Sequence, residues 1–90
     1  MNMKGPLRKE GILSRKLGDE WMLYDTDKGS IHIVNTMAEF VWKMCDGSHP
    51  LDEMEKRIED VYSVPGGATL KRDLENIVQS FTNMGLLVSQ

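Results

Sequence analysis

Apolar positions alternate with polar ones in the first third of the chain and then switch to helical spacing. Ile12 to Leu17 and Glu20 to Tyr24 read as two strands joined by Gly18-Asp19, a two-residue hairpin turn with glycine first. Trp21, Met22, Leu23 and Tyr24 are apolar on both faces of the second strand, so neither face is expected to be fully solvated. Asp25 to Gly29 forms a longer turn. Ile31 to Val34 is a third strand, with Ile31 and Ile33 on one face and His32 and Val34 on the other.

From Thr36 the period changes. Met37, Phe40, Val41 and Met44 form one helical stripe, which Ala38, Trp42 and Cys45 widen until only Glu39 and Lys43 are clearly polar. A helix this apolar must be buried between other elements. Thr36 and Glu39 fit a capping box, and Gly47 suits the left-handed position after the helix. A second helix starts near Pro50, with Ser48 or His49 as cap, and carries Leu51, Met54, Ile58, Val61 and Tyr62 on one side. Val64 to Ala68 breaks it. Thr69 caps a third helix with the stripe Leu70, Leu74, Ile77 and Phe81, widened by Val78 and Met84, and Gly85 ends it. Leu86 to Val88 packs as a final strand stub. The predicted class is α+β: a three-stranded antiparallel sheet followed by three helices, a layout shared with winged helix-turn-helix domains. Trp42, Phe40, Val41, Leu74, Ile77 and Phe81 are the expected core.

Ninety residues make one domain. Residues 1–11, with Gly5-Pro6 and no periodicity, read as a flexible arm preceding a folded unit over residues 12–88. No apolar run approaches the ~20 residues needed to span a bilayer, and the N-terminus has no secretory pattern. The single cysteine fits a reducing cytoplasm. The net charge of −3 hides a gradient: residues 1–17 are basic and residues 48–63 acidic.

Candidate chemistry is sparse. His32, His49 and Cys45 fall on different elements without metal-ligand spacing, so neither a metal nor a cofactor is expected. Cys45 reads as a small core residue. Asp52-Glu53 and Glu59-Asp60 lie on the wet face of a helix, where carboxylates do no acid–base work. Gly66-Gly67 joins two helices and has no adjacent Lys, unlike a phosphate loop. No enzymatic activity is expected. A DNA-binding regulator is the alternative that the winged-helix layout raises. The outward residues of the third helix argue against it, because Lys71 and Arg72 are cancelled by Asp73 and Glu75, and the second helix is acidic. A binding module remains. The third strand would have an open edge, to be covered by an added peptide strand, by a loop, by the arm or by a second copy of the chain.

Glu20-Trp21-Met22-Leu23-Tyr24-Asp25, then Gly29 to Thr36, then Phe40-Val41-Trp42 and Asp46-Gly47, resemble the pattern of the PqqD family, the small peptide chaperones of quinone cofactor biosynthesis. The acidic second helix and the third helix ending in Gly85-Leu86-Leu87-Val88 match as well, so the likeness covers about residues 12–88. Val34, where the family more often has Leu, and His49-Pro50, where a Ser/Thr cap is commoner, depart from it. The resemblance implies a RiPP recognition element. Such a domain binds the leader of a ribosomally made precursor peptide by strand addition and presents it to a modifying enzyme, for PqqD a radical S-adenosylmethionine enzyme. By similarity the peptide would lie on Ser30, Ile31, His32, Ile33 and Val34 and against one flank of the third helix. Lys71, Leu74, Glu75 and Val78 are the helix residues expected there. A homodimer through the same edge strand would compete for it.

Overall fold

The computed structural model describes residues 5–63 and 66–88. The expected helix break at Val64-Pro65, and Met1 to Lys4 of the expected arm, lie outside them. Strands β2 (Ile12–Leu17), β3 (Glu20–Asp25) and β4 (Ser30–Asn35) form an antiparallel meander in the order β2-β3-β4. Leu17 opposes Glu20 across a two-residue turn in which Gly18 takes φ +60°, as the sequence predicts. Helices α1 (Thr36–Lys43), α2 (Leu51–Tyr62) and α3 (Ala68–Asn83) follow. Two further strands, β1 (Leu7–Arg8) and β5 (Leu87–Val88), pair antiparallel in a small separate sheet.

The sheet's inner face and the helices share one core. Leu23, Val41, Trp42, Cys45, Met54, Ile58, Leu74, Phe81 and Leu86 are buried, and Trp42 meets Phe81 edge-on with centroids 5.2 Å apart. Phe40 and Ile77, expected in the core, are half-buried. Phe40 sits at the edge, T-shaped against Tyr62 at 5.7 Å. Because α1 is apolar almost all round, the stripe does not reveal which of its aromatic residues faces inward.

Three helix starts differ from expectation. Asn35, not Thr36, caps α1: its side-chain Oδ1 accepts from the Ala38 N–H at 2.8 Å. Glu39 turns inward instead of closing a capping box, and its Oε1 lies 3.4 Å from Lys43 Nζ. Pro50 occupies the cap of α2 and Gly67 that of α3, so Thr69 lies inside the helix. Helices α2 and α3 therefore start without a side-chain cap, α1 with one.

The loose arm expected over residues 1–11 is corrected over its described part. The Arg8 N–H donates to the Cys45 carbonyl at 2.7 Å and the Lys9 N–H to the Leu86 carbonyl at 2.8 Å. Gly5 and Gly47 exchange contacts with the same segment, Gly5 N–H to Gly47 O at 3.2 Å and Gly47 N–H to Pro6 O at 2.9 Å. A Cβ at Gly5 would collide with the His49 carbonyl, so only glycine allows this approach. A two-residue strand held by backbone bonds leaves no hydrophobic period to read.

Asp25 closes the sheet end against this segment. It is fully buried and accepts from Lys9 Nζ at 3.0 Å and from the Asp27 and Lys28 N–H groups at 3.0 and 3.2 Å. The Lys9 hydrogen bond, aided by the backbone donors and opposed by burial, holds its carboxyl below the ordinary carboxylate range. A carboxyl depressed in the folded state stabilises the fold above its unfolded pKa of about 3.9. That contribution is lost as pH falls through the lowered folded value.

Two outcomes follow from this packing. In urea denaturation Phe81→Ala costs about 3–5 kcal/mol, and the half-buried Phe40→Ala costs clearly less. Unfolding free energy of the wild type declines on acidification below about pH 4, and Asp25→Asn, less stable at neutral pH, shows a shallower decline there.

Candidate functional site

Strand β4 pairs only with β3, so its other edge carries no strand partner among the described residues. Its inward face holds Val34, which is buried, and His32, which is half-buried with an Nε2 that has no hydrogen-bond partner among the described residues. Its outward face exposes Ile31 and Ile33. Beside this edge runs a cleft of about 260 Å³ between β4 and α3. Ile33 and Val34 form one wall, Ile77, Ser80, Phe81 and Met84 the other, and Asn35 and Ala38 close the end where α1 begins. The Asn35 cap therefore both starts α1 and fixes how the cleft ends.

Ser30 to Val34 lie together on β4, with Ile31 and Ile33 exposed, Ser30 and His32 half-buried and Val34 buried. The expected helix residues do not join them. Leu74 is buried in the core. Lys71, Glu75 and Val78 are turned about 100–160° around α3 from Ile77, whereas Ser80 and Met84 lie within about 60° of it. The cleft opens on the flank that the sequence stripe did not single out. Ile77 and Met84 were visible as apolar stripe members, and their half-burial is what marks them as cleft residues.

The sheet's other edge, β2, borders a second cleft of about 390 Å³ lined by Arg8, Ile12, Ser14, Trp21, Glu39, Trp42 and Lys43. This site differs in character. The β2 edge carries Arg15 and Lys16, charges that discourage strand addition. Arg8 Nη1 donates to the Lys43 carbonyl at 3.1 Å, satisfying the C-terminal end of α1. The β4 edge has no charged residue.

Other reactive groups are held in structural roles. Cys45 Sγ lies 3.3 Å from the Val41 carbonyl, and desolvation pushes its thiol up to about 12. Asp46 accepts from the Ser48 hydroxyl at 2.7 Å and the Ser48 N–H at 3.0 Å, and lies 2.8 Å from His49 Nδ1. The Ser48 donors, with His49, hold its carboxyl far below the usual range. This network organises the turn into α2. No group of three metal-ligating side chains forms among the described residues. No helix there is long and apolar enough to cross a membrane. On α3, Lys71 and Arg72 are exposed beside Asp73 and Glu75, which leaves no positive surplus for a phosphate backbone.

The buried thiol sets a simple expectation. Native protein at neutral pH resists alkylation of Cys45, and the same thiol reacts promptly in denaturant, as read by mass spectrometry.

Among curated proteins no match is found. The fold superimposes on the solved structure of TbiB1 in complex with the TbiA(beta) leader peptide, with a TM-score of 0.76 and 21% identity, covering 93% of this chain and 96% of that one. The family model for coenzyme PQQ synthesis protein D (PqqD) matches residues 20–87, from the start of β3 through all three helices. With the meander, the three helices and the cleft beside β4 in place, that match makes this chain a member of the PqqD family.

Proposed function

We propose that this chain is a peptide chaperone. It captures the leader of a ribosomally synthesised precursor as an added strand on β4 and presents it to a modifying enzyme of the radical S-adenosylmethionine class in the cytoplasm. The observation that carries this reading is the unpaired edge of β4 beside an apolar cleft. The leader's backbone takes the donors and acceptors of Ser30 to Val34. Its alternate side chains enter the cleft between Val34 and the flank made by Ile77, Ser80 and Met84. The leader-bound TbiB1 structure supports this by likeness of fold. The chain performs no chemistry of its own in this role.

Two or three leader side chains lodged in the cleft contribute about 1.5–3 kcal/mol each. Ordering a disordered leader offsets much of that. Backbone hydrogen bonds along β4 add about 0.5–1.5 kcal/mol each, and both contributions together are needed for roughly micromolar binding, about −8 kcal/mol, which suits a carrier that must release its cargo. The experiment is calorimetric titration with the cognate leader. Ile77→Asp and Met84→Asp weaken binding by about tenfold or more, because each sets a charge in an apolar cleft. Glu75→Ala, on the far flank, leaves it within about twofold. Equal losses at Glu75 and Ile77, with all variants folded, would move the peptide off this cleft.

A further inference from the structure

Among the described residues three buried side-chain atoms have no hydrogen-bond partner: Trp21 Nε1, His32 Nε2 and Glu39 Oε2. Two of the three belong to residues that line one cavity, the cleft of about 390 Å³ beside β2. Buried polar atoms are nearly always paired, so two orphans at one cavity call for a cause. Glu39 is the more demanding of the two. Its side chain is buried although it closes no capping box, the cap of α1 being Asn35. Its Oε1 lies 3.4 Å from Lys43 Nζ, and its Oε2 has no partner.

The two orphans are opposite in kind. An indole N–H only donates, and a carboxylate only accepts. A ligand that satisfies both must offer an acceptor and a donor. The surrounding charges narrow its class. An anion would lie against Glu39. A cation would lie among Arg8 and Lys43, which line the same cleft, and would leave the indole N–H unpaired. A neutral primary carboxamide meets both demands. Its oxygen accepts from Trp21, and its NH2 donates to Glu39. It offers the two from separate atoms, matching orphans held by separate elements, β3 and α1. Trp21, Trp42 and Ile12 supply apolar walls, and the cleft has the size and lining of a small-ligand pocket.

We propose that the cleft between β2 and α1 is a second binding site of this chain, taking a small planar ligand with a neutral primary carboxamide, recognised by Trp21 and Glu39. Lys43 is its movable cover. Its side chain is 64% exposed, and its Nζ lies 5.3 Å from the centre of the Trp21 ring as well as beside Glu39. Swinging it into solvent uncovers both recognising residues. The site lies at the opposite edge of the sheet from β4, so it stands whether or not β4 takes a leader.

Nuclear magnetic resonance titration of the nitrogen-15-labelled full chain tests this with probes of one shape: benzamide, benzoate, benzamidine and N,N-dimethylbenzamide. The chain has two tryptophans, so Trp21→Phe assigns the Trp21 indole signal by its loss. Benzamide is expected to shift that signal saturably, with a Kd of about a millimolar. The other three bind about tenfold more weakly or not at all, each lacking a donor, lacking an acceptor or carrying the wrong charge. Trp21→Phe keeps a ring and drops the donor, and Glu39→Leu drops the acceptor. Each weakens benzamide by about tenfold, read from the backbone amides of Ser14 and Lys43. Thermal melts check that both variants fold, and the probe series on wild type decides the matter if either does not. No saturable shift with benzamide, as in a cleft that holds water only, overturns the proposal. So does N,N-dimethylbenzamide binding as well as benzamide, a preference for benzoate or benzamidine, or benzamide binding unchanged in both folded variants. Capped glutamine, N-acetylglutamine methylamide, binding tighter than benzamide also overturns it, since the amide would then be a protein side chain.

Discussion

Among the described residues, the backbone of β4 has strand hydrogen bonds on one side only. An open edge in an apolar strand is a hazard that folded proteins usually blunt with charge, proline or a covering segment. Strand β4 carries none of those charges or prolines, and α3 lies beside it at the distance of a cleft instead of covering it. The rest of the molecule depends on this spacing. Phe81 is anchored against Trp42 deep in the core, and Ile77 and Met84, on the same helix, are left half-exposed along the rim. The floor of the cleft is thus core, and its rim is half-exposed.

Residues that never touch the cleft hold this geometry in place. The N-terminal segment lies between the turn after α1 and the C-terminal strand β5, bonded to both through the backbone. Lys9 extends from it to the buried carboxylate of Asp25 at the end of β3. One short segment thus ties the meander, the α1–α2 turn and the chain's end together. Contacts between β3 or β4 and α1 then set where α1 begins, and the Asn35 cap converts strand into helix within one residue.

Much of this was legible in the sequence, and the gaps have physical causes. The hairpin at Gly18-Asp19, the alternation in Ile31 to Val34 and the glycine stop at Gly85 are local signals, and the structure follows them. The open edge of the third strand was legible for the same reason: a meander leaves its last strand unpaired. What local pattern does not encode is direction. The stripe on α3 is wide, and only its packing on α1 and α2 decides that Ile77 and Met84, not Lys71 and Glu75, border β4. The inward turn of Glu39 and the half-exposure of Phe40 have the same origin in a helix apolar on nearly all sides. The pairing of Leu7–Arg8 with Leu87–Val88 joins β1 and β5 through backbone groups that every residue has.

Whether β4 accepts a further strand is read by nuclear magnetic resonance of the labelled chain bound to its cognate leader. Strand addition gives cross-strand backbone contacts between the leader and Ser30 to Val34, together with slowed amide exchange along that strand. A leader that binds tightly while the β4 amides exchange as fast as in the free protein, with its contacts confined to the acidic face of α2 or to the cleft beside β2, would contradict it.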